Sequence, residues 1–183
     1  ELARLFLAAR LPEKAKEKAD LVLATEPRHE AARLVQAALL LGEKKTAEAK
    51  RLIEALHQEG ATAPELYSML VSISARDKDM SKAESVAREG VEKNPDNMRL
   101  RSLLTSIYMK NGKQDAAEQV LAENIAKKPE EIQHRLALAD FFWSTDRREK
   151  TEATLGELAQ LEPENETNRI VVAEYYLRKK EID

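Results

Sequence analysis

The side chains in this sequence that could do metal, acid-base or phosphate chemistry are three histidines, 33 carboxylates and five glycines. Their spacing does not assemble any of these chemistries. A helical metal pair needs two imidazoles on one face with a carboxylate between them, as in HExxH, and a thiolate site needs cysteine. His29, His57 and His134 lie far apart, no CxxC or carboxylate cluster accompanies them, and the chain has no cysteine. They read as surface or helix-end residues. The patterns GxSxG, GxxxxGK[ST] and GxGxxG are all absent, and the glycines stand singly. Most carboxylates sit beside lysine or arginine, which suits a solvated helix face better than general acid-base work. The reading is no enzyme, no cofactor and no metal.

The elements that would position any site are clearest between Met98 and Glu131. Leu100, Leu103, Leu104, Ile107 and Tyr108 recur at helical spacing, and Asn111-Gly112 supplies residues able to leave the right-handed helical region. Asp115 opens a second helix whose apolar stripe is Ala116, Ala117, Val120, Leu121 and Ile125, and Pro129 ends it. The result is a helical hairpin too thin to fold alone. It repeats along the chain. Pro27, Pro95, Pro129 and Pro163 are separated by 68, 34 and 34 residues, with Ala61 standing where one proline is missing. Ala15, Ala49, Ala83, Ala117 and Thr151 keep the same spacing, as do Phe6, Leu40, Tyr108, Phe142 and Tyr176, a large series broken at Ser74. Small residues let two helices approach while aromatics fill the wider gap beside them.

This pattern resembles the tetratricopeptide repeat family, in which 34-residue helix-turn-helix units end in proline. Pro95-Asp96-Asn97 and Pro163-Glu164-Asn165 are similar to its inter-repeat turns. The resemblance implies an all-α fold: an α-solenoid, a right-handed superhelix of hairpins. One solenoid domain is expected over 1–183, with a partial repeat at 1–29, full repeats at 30–63, 64–97, 98–131 and 132–165, and a partial repeat at 166–183. That gives eleven helices and no strand. Gly90 and Asn124 stand where Val22, Leu56 and Leu158 supply bulk, so the third and fourth hairpins are expected to be looser. The chain has no opening methionine and stops inside a repeat, so it reads as a fragment. If the next helix is absent, Val172, Tyr175 and Tyr176 become a candidate end-to-end contact for self-association.

In the resembled family the first helices of successive hairpins line a concave face. The stripe pointing there is Leu34, Ala38 and Leu41, then Ser68 and Ser72, then Ser102, Ser106 and Met109, then Leu136, Asp140 and Trp143, then Ile170, Glu174 and Leu177. Arg4 and Leu7 begin it. The groove is therefore small and hydroxylic in the middle and apolar towards both ends. Serine hydroxyls can pair with a peptide backbone, and Met109, Trp143 and Leu177 offer apolar anchors. Packing within the fold is the competing account for Leu34 and Leu41, and neutral surface for the serines. The arginines Arg33, Arg101, Arg135 and Arg169 form a further 34-residue series, expected to pair with acids of the adjacent hairpin.

Thirty basic against 33 acidic side chains give a net charge of -3, without the basic stripe that a nucleic acid requires. No run of about 18 apolar residues would make a membrane span. The expected function is a non-catalytic scaffold that binds a peptide or helix of a partner protein in its groove. The Asn97-to-Arg101 and Asn165-to-Arg169 spacing is similar in style to bacterial repeats of envelope assembly, secretion or polysaccharide export, which inclines the localisation to periplasm or envelope over cytoplasm. The alternatives are a regulatory or targeting arm of a larger enzyme and a self-associating spacer.

Overall fold

The computed structural model describes residues 1–161 and 166–180, so the Pro163-Glu164-Asn165 turn lies outside the described residues. Among the described residues there are eleven helices and no strand: α1 (Leu2–Ala8), α2 (Pro12–Thr25), α3 (Glu30–Gly42), α4 (Thr46–Gln58), α5 (Pro64–Arg76), α6 (Met80–Lys93), α7 (Met98–Lys110), α8 (Gln114–Lys127), α9 (Ile132–Ser144), α10 (Arg148–Gln160) and α11 (Glu166–Lys180). They fall into two compact units, Glu1–Ile107 and Tyr108–Asp183, with the division inside α7. None of these helices is long and apolar enough to cross a membrane.

Every turn between the two helices of a hairpin is built alike. Arg10, Lys44, Lys78, Gly112 and Asp146, each 34 residues after the last, have φ of +58°, +62°, +61°, +71° and +57°. The next amide in each case reaches back five residues: Leu11 to Phe6, Lys45 to Leu40, Asp79 to Ser74, Lys113 to Tyr108 and Arg147 to Phe142. Together with the shorter bonds from residues 10, 44, 78, 112 and 146, this is the Schellman closure, which satisfies orphan carbonyls at a helix end. Glycine is the residue suited to the left-handed position, yet four of the five turns do without it. The exit from α4 uses the same device. Gly60 has φ +85° and the Ala61 amide bonds to Leu56 O, while Pro64 opens α5 with no donor to lose. That accounts for the proline missing at position 61.

Packing follows the small-residue register. Ala15, Ala49, Ala83, Ala117 and Thr151 are all buried, none more than 1% exposed. In the first unit Ala3, Ala15, Ala19, Ala32 and Val35 form a core layer closed by Phe6, Leu7, Val22, Leu23 and Leu39. In the second unit one layer joins Ala117, Leu121, Phe141 and Phe142, and another joins Ala139, Leu155 and Tyr175.

The expectation of a loose third hairpin is corrected at Gly90. A Cβ there would lie 2.8 Å from both Cβ and Cγ of Tyr67. The missing side chain is space that the Tyr67 ring occupies, and Tyr67 is 1% exposed. Asn124, the corresponding residue of the next hairpin, is itself buried. In the expected end-to-end contact the place of Tyr175 is corrected as well. Tyr175 is fully buried, since its ring completes the layer with Ala139 and Leu155, and Val172 packs on the same layer, leaving Tyr176 as the exposed member of the three.

A candidate interaction cleft on the first helices

The first unit holds a cavity of about 870 Å³ whose walls come from α1, α3 and α5. This is within the size range of ligand clefts. Leu5, Leu7 and Ala8 of α1, Ala31, Leu34, Val35 and Ala38 of α3, and Met69 of α5 give it an apolar lining. Helical periodicity puts them there: Leu34 and Ala38 are one turn apart on α3, and Ala31 is one turn earlier. Leu34 is buried, Ala38 is half-buried and Leu5 is 63% exposed, so the cavity runs from a covered base to an open rim.

Polar groups line the cavity as well. Arg4 of α1 and Glu65 of α5 form an ion pair, both lining the cavity, with side chains 52% and 36% exposed. Glu30 accepts from the Ala63 amide at 3.1 Å and so ties α3 to the loop before α5. His29 caps α3 by accepting from the Ala32 amide at 3.3 Å through Nδ1, a helix-end role. Glu1, Ala63 and Arg99 complete the lining.

Of the stripe expected from sequence, Leu34 and Ala38 line this cavity, with Arg4 and Leu7 beside them; Leu41 is half-buried further along α3. Ser72, Ser102 and Ser106 are exposed. The Ser68 hydroxyl donates to Pro64 O within its own helix at 3.0 Å. The cleft is one row wider than the stripe, because Val35 and Met69, each one residue along, also line it. Leu5, Glu65 and Arg99 are not part of the stripe at all. The repeat register relates equivalent positions and carries no information on ion pairs between residues 61 apart.

In the second unit Met109 packs on the layer around Phe141 and Phe142, and Leu136 and Trp143 pack on the layer around Tyr175. The Trp143 indole meets the Tyr175 ring edge to face at 6.3 Å, and the Arg148 guanidinium lies 3.5 Å from the indole centroid. Asp140 is exposed and holds Lys179 at 2.8 Å. Ile170, Glu174 and Leu177 are exposed on α11. Burial, with the negative charge of Asp140, pushes the Tyr175 hydroxyl well above its ordinary pKa.

The other ionisable groups bind hairpins together. Glu89 of α6 accepts from Tyr67 at 3.1 Å and meets His57 Nε2 at 3.0 Å. Burial opposes charge on Glu89, but the His57 and Tyr67 hydrogen bonds together outweigh it and hold its pKa below the usual carboxylate range. Burial first, and the bond to Glu89 second, push Tyr67 up to about 12. The arginine series does not behave as one. Arg33 pairs with Glu59 of its own hairpin at 2.5 Å, not with an adjacent one, and Arg135 donates to the Pro129 carbonyl. His134 is buried instead of lying at the surface, because it occupies the core position of Leu66 and Leu100. Among the described residues no group of three or more histidines and carboxylates could hold a metal ion.

A family model for the tetratricopeptide repeat matches residues 74–141, and solved structures of such proteins superpose along nearly the whole chain. Residues 74–141 match the tetratricopeptide repeat, and the chain as a whole has the fold of such proteins. The repeat protein TTC0263 of Thermus thermophilus shares 20% identity at a TM-score of 0.63, with 96% of each chain covered. YrrB, a tetratricopeptide-repeat protein described as having an unusual peptide-binding site, shares 18% at 0.60, covering 92% of this chain and 87% of its own. MamA of Desulfovibrio magneticus RS-1 shares 15% at 0.64, covering 88% of this chain and 91% of its own. At these identities the likeness establishes the tetratricopeptide-repeat fold alone. No curated protein matches the sequence.

Proposed function

We propose that this chain is a non-catalytic scaffold that seats an extended or helical segment of a partner protein against its first helices. The observation that carries the reading is the apolar cleft of the first unit, where Leu34 and Ala38 of the stripe form a base open to solvent at Leu5. An apolar side chain entering it would leave water without stranding a polar group, since the lining there is aliphatic. Exposed Ser72, Ser102 and Ser106 offer hydroxyls to a peptide backbone, and in the second unit the reading extends to exposed Asp140, Ile170, Glu174 and Leu177 with half-buried Met109, Leu136 and Trp143. A role in envelope assembly, secretion or polysaccharide export has its support in the Asn-x-x-x-Arg spacing.

The test is selection from a displayed library of random peptides about 12 residues long, with the affinity of enriched sequences measured by fluorescence anisotropy. Enriched peptides should carry one or two large apolar residues and lose about tenfold or more in affinity to Ala38→Arg, which places a charge in the cleft at little cost to helix propensity. Circular dichroism would confirm that the variant folds. Peptides that bind Ala38→Arg as well as the natural chain would refute the cleft as the seat.

A further inference from the structure

We propose that the segment seated in the first-unit cleft is an amphipathic helix carrying one acidic and one basic side chain, which meet Arg99 and Glu1. This rests on the cleft being the partner's seat, and it names the partner's form and charge. The walls of the cleft are helices, so they present no strand edge to an incoming chain. Six polar side chains line it, those of Glu1, Arg4, His29, Glu30, Glu65 and Arg99, with no serine, threonine, asparagine or glutamine among them. Four of the six already have partners. Arg4 and Glu65 pair with each other, Glu30 accepts from the Ala63 amide at 3.1 Å, and His29 accepts from the Ala32 amide at 3.3 Å. An extended segment pressed against the aliphatic lining would bring N–H and C=O groups that find no matching ladder there, and backbone groups buried without partners are costly. A helix brings its own partners, because its amides and carbonyls bond within the segment.

Size leads to the same form. A helix of about 12 residues is about 18 Å long and about 10 Å across. That is more than a cavity of about 870 Å³ holds, so one apolar face enters and the polar face stays in water, which the 63% exposure of Leu5 permits. Charge then sets the direction. Among the described residues the side chains of Glu1, at the start of α1, and Arg99, on α7, make no hydrogen bond or ion pair, and they are of opposite sign. A helix with its acid towards Arg99 and its base towards Glu1 is therefore favoured over the same helix with the two exchanged.

The probes are two displayed libraries of peptides about 16 residues long on an alanine-rich framework. Both vary leucine, isoleucine, methionine and valine at helical spacing along one face, and glutamate, lysine and glutamine beside that face; the second also carries a central proline, which breaks a helix. Peptides from the first library should be enriched on the natural chain, with the acid towards one end and the base towards the other. By fluorescence anisotropy, a proline placed at the centre of an enriched peptide should cost about tenfold or more in affinity. Exchanging its acid and base should cost about fivefold, the range that exposed ion pairs support, and the double variant Glu1→Lys with Arg99→Glu should prefer the exchanged peptide. Equal enrichment of the proline library, enrichment of neither library, or an exchange without effect on the natural chain would overturn the proposal. Proline-bearing peptides that are enriched and then lost in Ala38→Arg would overturn the helix and leave the cleft as the seat. Helical peptides that bind Ala38→Arg as well as the natural chain would remove the seat itself.

Discussion

Replacing His134 by leucine should stabilise the chain. The repeat supplies its own reference, since Leu66 and Leu100 occupy the same register two units and one unit earlier and are both 0% exposed. His134 is 6% exposed, its Nδ1 is buried with no hydrogen-bond partner, and its Nε2 approaches Glu131 Oε2 at 3.4 Å. Leaving a buried polar atom unsatisfied costs about 1–3 kcal/mol. Losing the Glu131 contact forfeits at most about 1 kcal/mol, because that carboxylate is 42% exposed. The two side chains are close enough in size for the leucine to fit without overpacking. The balance favours leucine by about 1–2 kcal/mol, and at roughly 2–4 °C per kcal/mol for a chain of this length the melting midpoint should rise by about 2–8 °C. Urea titration at about pH 7 by circular dichroism, alongside calorimetry, reads the change, and Glu131→Gln separates the part due to the carboxylate. A leucine variant that melts below the natural chain would show that Nδ1 is satisfied, for instance by an ordered water, and would refute the comparison with Leu66 and Leu100. Asn168, the next residue in the register, is 3% exposed with an unpartnered Nδ2, so Asn168→Leu should move in the same direction.

Gly90→Ala should destabilise by about 1–3 kcal/mol, because its Cβ would fall 2.8 Å from Tyr67; an unchanged urea midpoint would show that the ring is free to withdraw. Gly112→Ala meets nothing within 4 Å but must hold φ near +71°, so it should cost about 1 kcal/mol from backbone strain alone, and Lys78→Gly should cost much less than an interior glycine. Glu89 has a folded pKa below its unfolded one, so its contribution to stability is present above an unfolded value of about 4.3 and is lost as pH falls through the lower folded value. Glu89→Gln should therefore flatten the stability profile between about pH 5 and about pH 3, and an unchanged slope would count against the His57–Glu89–Tyr67 linkage. Ala117→Leu should overpack a fully buried helix contact and cost about 1–3 kcal/mol in thermal unfolding.

Period and helix type were legible because both are local. Burial of Ala15, Ala49, Ala83 and Ala117 needs no knowledge beyond which residue recurs at a helical contact. A sequence pattern does not show where one residue compensates for what another lacks. Gly90 looks like lost bulk until Tyr67, on the facing helix of the same hairpin, is seen in its place. Ala61 looks like a lost helix stop until Gly60 is found in the left-handed region. In the cleft, periodicity placed Leu34 and Ala38, while Leu5, Met69 and the Arg4–Glu65 pair depend on how α1 and α5 stand around α3. The burial of Tyr175 escapes the sequence for a related reason: whether an aromatic at the last repeat faces out or in depends on its neighbours, and α9 and α10 cover it.

The contact between Tyr67 and Gly90 also constrains the order in which the sequence could have changed. A tyrosine ring at the first position leaves no room for a side chain at the second, and a hairpin that is small at both contains a void. A lineage moving from arginine and leucine, as at Arg33 and Leu56, to tyrosine and glycine must clear the second position before the ring arrives. The return journey has to remove the ring first. Each step passes through an intermediate less well packed than either end, so the pair holds its state against single substitutions. In the third repeat the two positions are therefore coupled, and a change at either one alone loses packing.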